Sequence, residues 1–219
     1  MRTFLTTLAL AFTAGCSIAG HQRVEDSLLS ARAGPDGRSL HVEVGTIAEL
    51  RVDSAFRYAG GQRFLLNDAA DAEQHFFVAS GPDGSVEAVF WIQLERLLAS
   101  AEGSYDYSDD PVRPVHDLPM HVQTRRYDSP PPPDGDRGRA YAFLRSRGYE
   151  IPEPAVRARL VHLPAPSKRE ELMIIYIEPF EGNGDLTPEA GDALVARAVG
   201  RIRPVRRISP RTAAGTPQP

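Results

Sequence analysis

Between Glu73 and Glu95 the chain carries two apolar-rich runs separated by Gly81-Pro82-Asp83-Gly84. Glycine and proline in that order favour a reversal of the backbone, so the runs Glu73 to Ala79 and Ser85 to Glu95 read as adjacent strands. In the second run Val86, Ala88, Phe90, Ile92 and Leu94 form an unbroken apolar face. Its other face, Glu87, Val89, Trp91, Gln93 and Glu95, is polar at the ends and apolar in the middle. A strand with apolar atoms on both sides must be covered twice, which predicts a place near the centre of an antiparallel sheet.

Period-2 alternation marks further strands at Leu40 to Val44, Gln62 to Asn67, Leu118 to Arg126 and Val156 to Leu163. Glu171 to Pro179, with Leu172-Met-Ile-Ile-Tyr-Ile177, is apolar on both faces and reads as a buried strand. Asp136 to Arg147 has Ala140, Phe143 and Leu144 at helical spacing and Gly148 as its stop. Thr187-Pro188-Glu189 opens a second helix with an N-cap, a proline at its first position and an early acid, and Leu194, Val195, Ala198 and Ile202 give it one apolar stripe. Four consecutive prolines make Asp128 to Gly135 an extended surface loop, and residues 99 to 117, rich in Asp, Ser, Tyr and Pro, read as a long excursion. Several strands, a helix, two strands and a terminal helix predict an α+β domain: an antiparallel sheet with helices packed on one face. Its expected bounds are 39–203, with residues 204 to 219 as a frayed tail.

The front of the chain is built differently. Arg2, the apolar run Phe4 to Phe12 and the small residues after it have the layout of a secretory signal peptide, too short for a spanning helix. Cys16 follows and is the single cysteine. Thr13-Ala14-Gly15-Cys16 resembles the lipobox of bacterial lipoprotein precursors, with Thr13 where the family usually has Leu. The resemblance implies a signal peptide over 1–15, lipidation of Cys16 by diacylglycerol and a further acyl chain such as palmitate, and, with Ser17 next, an outer-membrane destination facing the periplasm. Residues 16 to 38 then read as the lipidated cysteine and a flexible tether, with a helical turn expected over Val24 to Ala31. A lone cysteine cannot close an internal disulfide, and lipidation accounts for it in an oxidising compartment.

The net charge of −4, from 25 Lys+Arg against 29 Asp+Glu, gives no electrostatic case for a nucleic-acid partner. Gly-x-Ser-x-Gly, His-Glu-x-x-His, paired cysteines and a phosphate-binding Gly-rich loop ending in Lys-Ser/Thr do not occur, and the one lysine, Lys168, lies in a polar connection. No motif therefore points to a metal or a cofactor. Glu181-Gly-Asn183-Gly-Asp185, followed by Glu189 and Asp192, has Leu186 and Asp192 where a calcium loop needs Gly and Glu, so it reads as a polar loop. Tyr105 to Asp110 reads as a solvated loop with acids and aromatics. His116 and His121, five apart on an extended segment, would point to opposite sides.

The remaining candidate lies on the sheet. If the turn at 81–84 pairs Val78 with Val86 and Phe76 with Ala88, then His75, Phe77, Val89 and Trp91 share a face. Arg57, Tyr58 and Arg63 would sit near it, and a one-residue change of register would move His75 away. Trp, Phe, His and Arg together suit a pocket for an apolar ligand with an acid group, with His75, Phe77, Trp91 and Arg63 as ligand-binding residues. Three readings follow: a lipid-anchored envelope protein that binds a partner protein or apolar ligand without catalysis, a small α+β enzyme using His75 as general acid and base, or a structural envelope component without ligand.

Overall fold

The computed structural model describes residues 31–164, 166–182 and 184–207. Eleven strands and two helices are present among them. Strands β1 (Arg32–Ala33), β2 (Ser39–Val44), β3 (Ile47–Val52) and β11 (Ile202–Arg206) form a small antiparallel sheet in the order β1-β2-β3-β11. The others are β4 (Phe56–Leu66), β5 (Ala70–Ser80), β6 (Val86–Leu97), β7 (Val112–Val115), β8 (Leu118–Tyr127), β9 (Ala155–His162) and β10 (Glu170–Pro179). They form a seven-stranded antiparallel sheet ordered β4-β5-β6-β10-β9-β8-β7. The architecture is thus mostly antiparallel sheet with two helices, compatible with the α+β class.

Burial in the large sheet follows the apolar pattern. Residues Ala70 to Ala79 of β5 are buried without exception, as are Glu171 to Ile177 of β10. Central strands apolar on both sides need a cover on each side. Consequently the helices do not share a face, as the element order suggested. Helix α1 (Asp136–Ser146) packs Ala140 and Leu144 against Phe76, Val89, Trp91 and Ile175. Helix α2 (Pro188–Arg201) places Leu194, Val195 and Ala198 on the opposite face with Val122, Ala158 and Leu160. The small sheet shares that second face, bringing Leu40, Ile47 and Leu50 against Phe77, Phe90 and Ile174.

Local signals explain the helix ends. Thr187 Oγ1 accepts the amide hydrogen of Ala190 at 3.2 Å, and Gly148 takes φ +84° beyond α1, the left-handed region where glycine carries no steric cost. The expected tail at 204–219 is corrected in its first residues. Ile202 ends the α2 stripe as a buried strand residue, and β11 continues to Arg206. Pro204 is tolerated because β11 is an edge strand, where a missing N–H leaves no ladder bond unmade. The tether boundary also moves inward, since β1 pairs Arg32 with His41 and Ala33 with Leu40. Signal peptide, Cys16 and the turn at 24–30 lie outside the described residues, as do Asn183 of the polar loop and residues 208–219.

Candidate functional site

The β5–β6 pairing decides which side chains meet. An irregularity between Ala79 and Ser80 shifts the ladder, so Val78 pairs with Val89 and Phe76 with Trp91. The expected partners, Val86 and Ala88, are each displaced by three residues, an odd number that reverses the relative faces of the two strands. His75 therefore lies opposite Ile92, on the face of the small sheet, with Phe77 in the same core. Trp91 lies on the α1 face, 6.1 Å from Phe76 between ring centroids, and does not join His75.

Two polar side chains meet the His75 ring. The Tyr58 hydroxyl is 2.8 Å from Nδ1, and Nε2 is 3.3 Å from Oε1 of Glu73, within ion-pair distance but outside hydrogen-bond alignment. Arg63 donates from Nη2 to the same Glu73 oxygen at 2.6 Å, so the structure unites Arg63 and His75 through a carboxylate. The Ala31 amide donates to the other Glu73 oxygen at 3.2 Å. Burial would push the Glu73 carboxyl up, yet His75 and Arg63 outweigh it and hold the group below its ordinary value. Burial and the Glu73 charge push the Tyr58 phenol up to about 12. His75 is 5 % exposed, and its ring nitrogens face Tyr58 and Glu73 rather than solvent.

Close packing at this cluster depends on Gly61, which pairs with His75 across β4 and β5. A Cβ there would sit 2.6 Å from His75 Nδ1 and 2.8 Å from the Gln74 carbonyl oxygen. The carbonyl belongs to the backbone and cannot rotate away. Gly61→Ala is therefore expected to lose about 1–3 kcal/mol in urea denaturation; a variant as stable as wild type would contradict this packing.

A second polar cluster, which the sequence reading passed over, lies on the α1 face. Gln62 donates to Gln74 at 2.7 Å and Gln74 to Gln93 at 2.8 Å, and Gln93 donates to Oε1 of Glu95. Glu95 pairs directly with Glu171 across β6 and β10, which sets the two carboxyls side by side on the α1 face. The segment after β6 folds back over them. Tyr105 donates to Glu95 Oε2 at 3.1 Å and Tyr107 to Glu171 Oε2 at 2.7 Å. Arg169 fastens this segment by donating to the carbonyls of Leu98, Ala101 and Gly103 at 2.7–2.9 Å.

Two carboxylates in contact cannot both ionise cheaply inside a protein. Burial, then the neighbouring Glu95, pushes Glu171 up to about 8. Burial likewise raises Glu95, although Gln93 and Tyr105 stabilise its charge. Burial and the neighbouring charge thus both favour keeping a proton on the pair. Glu95 is 4 % exposed and Glu171 2 %, so the cluster is a closed network under Tyr105 and Tyr107. Sequence signals for it existed: an acid at each end of an otherwise apolar strand, and two tyrosines in the acidic loop. Their joining depended on the β6–β10 register.

The other candidates are dispersed. His116 Nε2 lies 3.0 Å from the Val199 carbonyl oxygen, whereas the His121 ring lies tilted against Tyr107 with centroids 5.7 Å apart. Among the described residues no group of three or more His, Cys, Asp or Glu is placed to hold a metal ion. No protein-family model matches the chain, and neither a characterised protein nor a solved structure does so.

Proposed function

We propose that the chain is a lipid-anchored protein of the bacterial cell envelope, held through Cys16 at the outer membrane and facing the periplasm. Its folded domain binds a partner protein or an apolar ligand bearing an acid group, without chemistry. The observation that carries the anchor is the single cysteine placed directly after a short apolar run and the small residues Thr13-Ala14-Gly15. Three acyl chains exceed the two signals that stable attachment needs, so the domain can remain fully hydrated. Binding without catalysis is supported by the use to which the titratable candidates are put. His75, Glu73 and Arg63 tie β4 to β5, while Glu95 and Glu171 tie β6 to β10.

Growth with a clickable fatty acid tests the anchor. The wild-type chain should carry label and Cys16→Ser should not. Absence of label from wild type, or equal label on both, would overturn the reading. Mass spectrometry of the protein extracted from its own membrane would, in the same preparation, detect a retained ligand or partner.

A further inference from the structure

Arginine supplies nearly all the positive charge of this chain, since Lys168 is the only lysine among 25 Lys+Arg. Most of the arginines whose contacts are described meet a carboxylate or a carbonyl. Three that have no carboxylate partner are gathered on the α1 face of the large sheet, two of them over one tyrosine. Arg125 of β8 and Arg157 of β9 are direct cross-strand partners. Arg137, from the first turn of α1, lies with its guanidinium carbon 4.1 Å from the centre of the Tyr127 ring, and that of Arg157 lies 5.0 Å from the same ring.

Like charges directly opposite on adjacent strands are destabilising, and burial makes the cost greater. Around Arg157 little offsets it. Its one hydrogen bond goes from Nη2 to the neutral Gln123 side chain at 3.1 Å, and its Nε is buried without a partner. Burial first, then the charges of Arg159, Arg137 and Arg125, press its ionisation below the ordinary guanidinium range. The next arginine along β9 differs: Arg159 has its counter-ion in Asp110 at 2.7 Å. No carboxylate comes within ion-pair distance of Arg125, Arg137 or Arg157 among the described residues.

Tyr141 feels the charges of Arg137 and Arg157, but the cavity of about 210 Å³ that it lines with Tyr149 and Pro152 carries Glu150 and Glu153 and none of the three arginines. An anion would therefore approach from the solvent side, where Arg125 is exposed. Guanidinium groups present planar forks of N–H donors that match the oxygens of a phosphate, and three of them exceed what a single carboxylate would neutralise.

We propose that Arg125, Arg137 and Arg157 form a binding site for the dianionic phosphate group of a small phosphate ester. This deepens the reading of the domain as a binder by naming its ligand chemistry. It does not depend on the anchor, so failure of labelling at Cys16 and failure of phosphate binding are separate results.

Isothermal titration of the full-length chain at fixed ionic strength tests the site, with inorganic phosphate and glycerol 3-phosphate as probes and chloride as reference. Both phosphates should bind saturably. Arg125→Gln, at an exposed position where folding is not at risk, should weaken binding about tenfold, the usual effect of losing one charge-assisted hydrogen bond. Adding Arg157→Gln should abolish it, while Arg113→Gln, which removes an exposed arginine paired with Asp192 elsewhere, should leave it unchanged. Dihexanoyl phosphatidylglycerol below its micelle concentration separates the sources: tighter binding than glycerol 3-phosphate assigns a lipid headgroup, and equal or weaker binding assigns a soluble ester. No saturable heat with either phosphate, or unchanged affinity in Arg125→Gln with Arg157→Gln, would overturn the proposal.

Discussion

Phe90→Ala is expected to cost about 3–5 kcal/mol, the range for emptying a buried aromatic site that cannot collapse. Phe90 sits in β6 at the middle of the large sheet, on the face shared with the small one. Its ring centroid is 4.8 Å from that of Phe56 in β4 and 4.8 Å from that of Tyr176 in β10, and Phe56 and Tyr176 are 6.5 Å apart. All three rings are fully buried, so the void would be walled by the aromatic planes of Phe56 and Tyr176, held from two different strands. The rim is fixed as well: Arg201 at the end of α2 stacks over Phe56 at 5.6 Å and donates to the Tyr176 hydroxyl at 3.0 Å. Urea titration should give a much lower midpoint at unchanged slope, whereas Val112→Ala at a 58 % exposed edge position should stay within about 0.5 kcal/mol of wild type. A loss below about 1 kcal/mol for Phe90→Ala would mean that the two sheets do not meet through this ring.

Phe90 also marks how far the sequence carried the fold. Its place on an apolar face of a central strand followed from alternation alone, because a period of two has one structural meaning when it runs for eleven residues. The same reasoning located β8, β9 and β10, and cap chemistry located both helices, Thr187 and Gly148 marking their ends. It missed β3, where the pairing with β2 shifts between His41 and Val44 and the apolar residues lose strict alternation. It missed β11 because Pro204 argues against a strand until the strand is known to lie at an edge. The faces occupied by the helices were misjudged for a related reason. Strands apolar on both sides demanded two covers, but the small sheet that completes the second cover is assembled from segments at opposite ends of the chain.

For the candidate site the outcome turned on one irregularity. Arg63 and His75 lie on neighbouring strands joined by a short turn, and the structure does bring them together. Trp91 depended on the β5–β6 register, which the displacement near Ser80 shifted by an odd number of residues. No residue type at that position announces the shift. The carboxyl pair was harder still, since Glu95 and Glu171 meet only because β10 inserts beside β6 rather than pairing with β9 alone. Glutamates at the ends of apolar strands ordinarily reach solvent; here Tyr105 and Tyr107 close over them.

That closure makes stability depend on pH in a direction opposite to the usual carboxylate. A carboxyl that accepts strong charge-assisted bonds stabilises the fold above its ordinary pKa and loses that contribution in acid, which is the behaviour set by Glu73. Glu171 titrates near about 8 when folded and near 4.5 when free of the fold. The folded state therefore holds the proton more tightly. Its contribution is complete below 4.5 and is lost as pH rises toward 8, because the pair must then carry two negative charges or open. With each pKa unit worth about 1.4 kcal/mol and some solvent entering as the pair charges, the expected loss is about 2–4 kcal/mol. Glu171→Gln removes the titration while keeping the shape: the amide can donate to Glu95 and accept from the Tyr107 hydroxyl. Arg159 and Asp136, the other charges that face the pair, are untouched by it. Urea midpoints measured from pH 4.5 to 8.5 should fall for wild type and fall clearly less for Glu171→Gln, in which only Glu95 is left to titrate, leaving the variant the more stable protein at the alkaline end. Parallel slopes in the two proteins would place the proton elsewhere. A wild-type slope that is flat or rises across this interval would mean that the two carboxyls are already apart or hydrated in the folded chain.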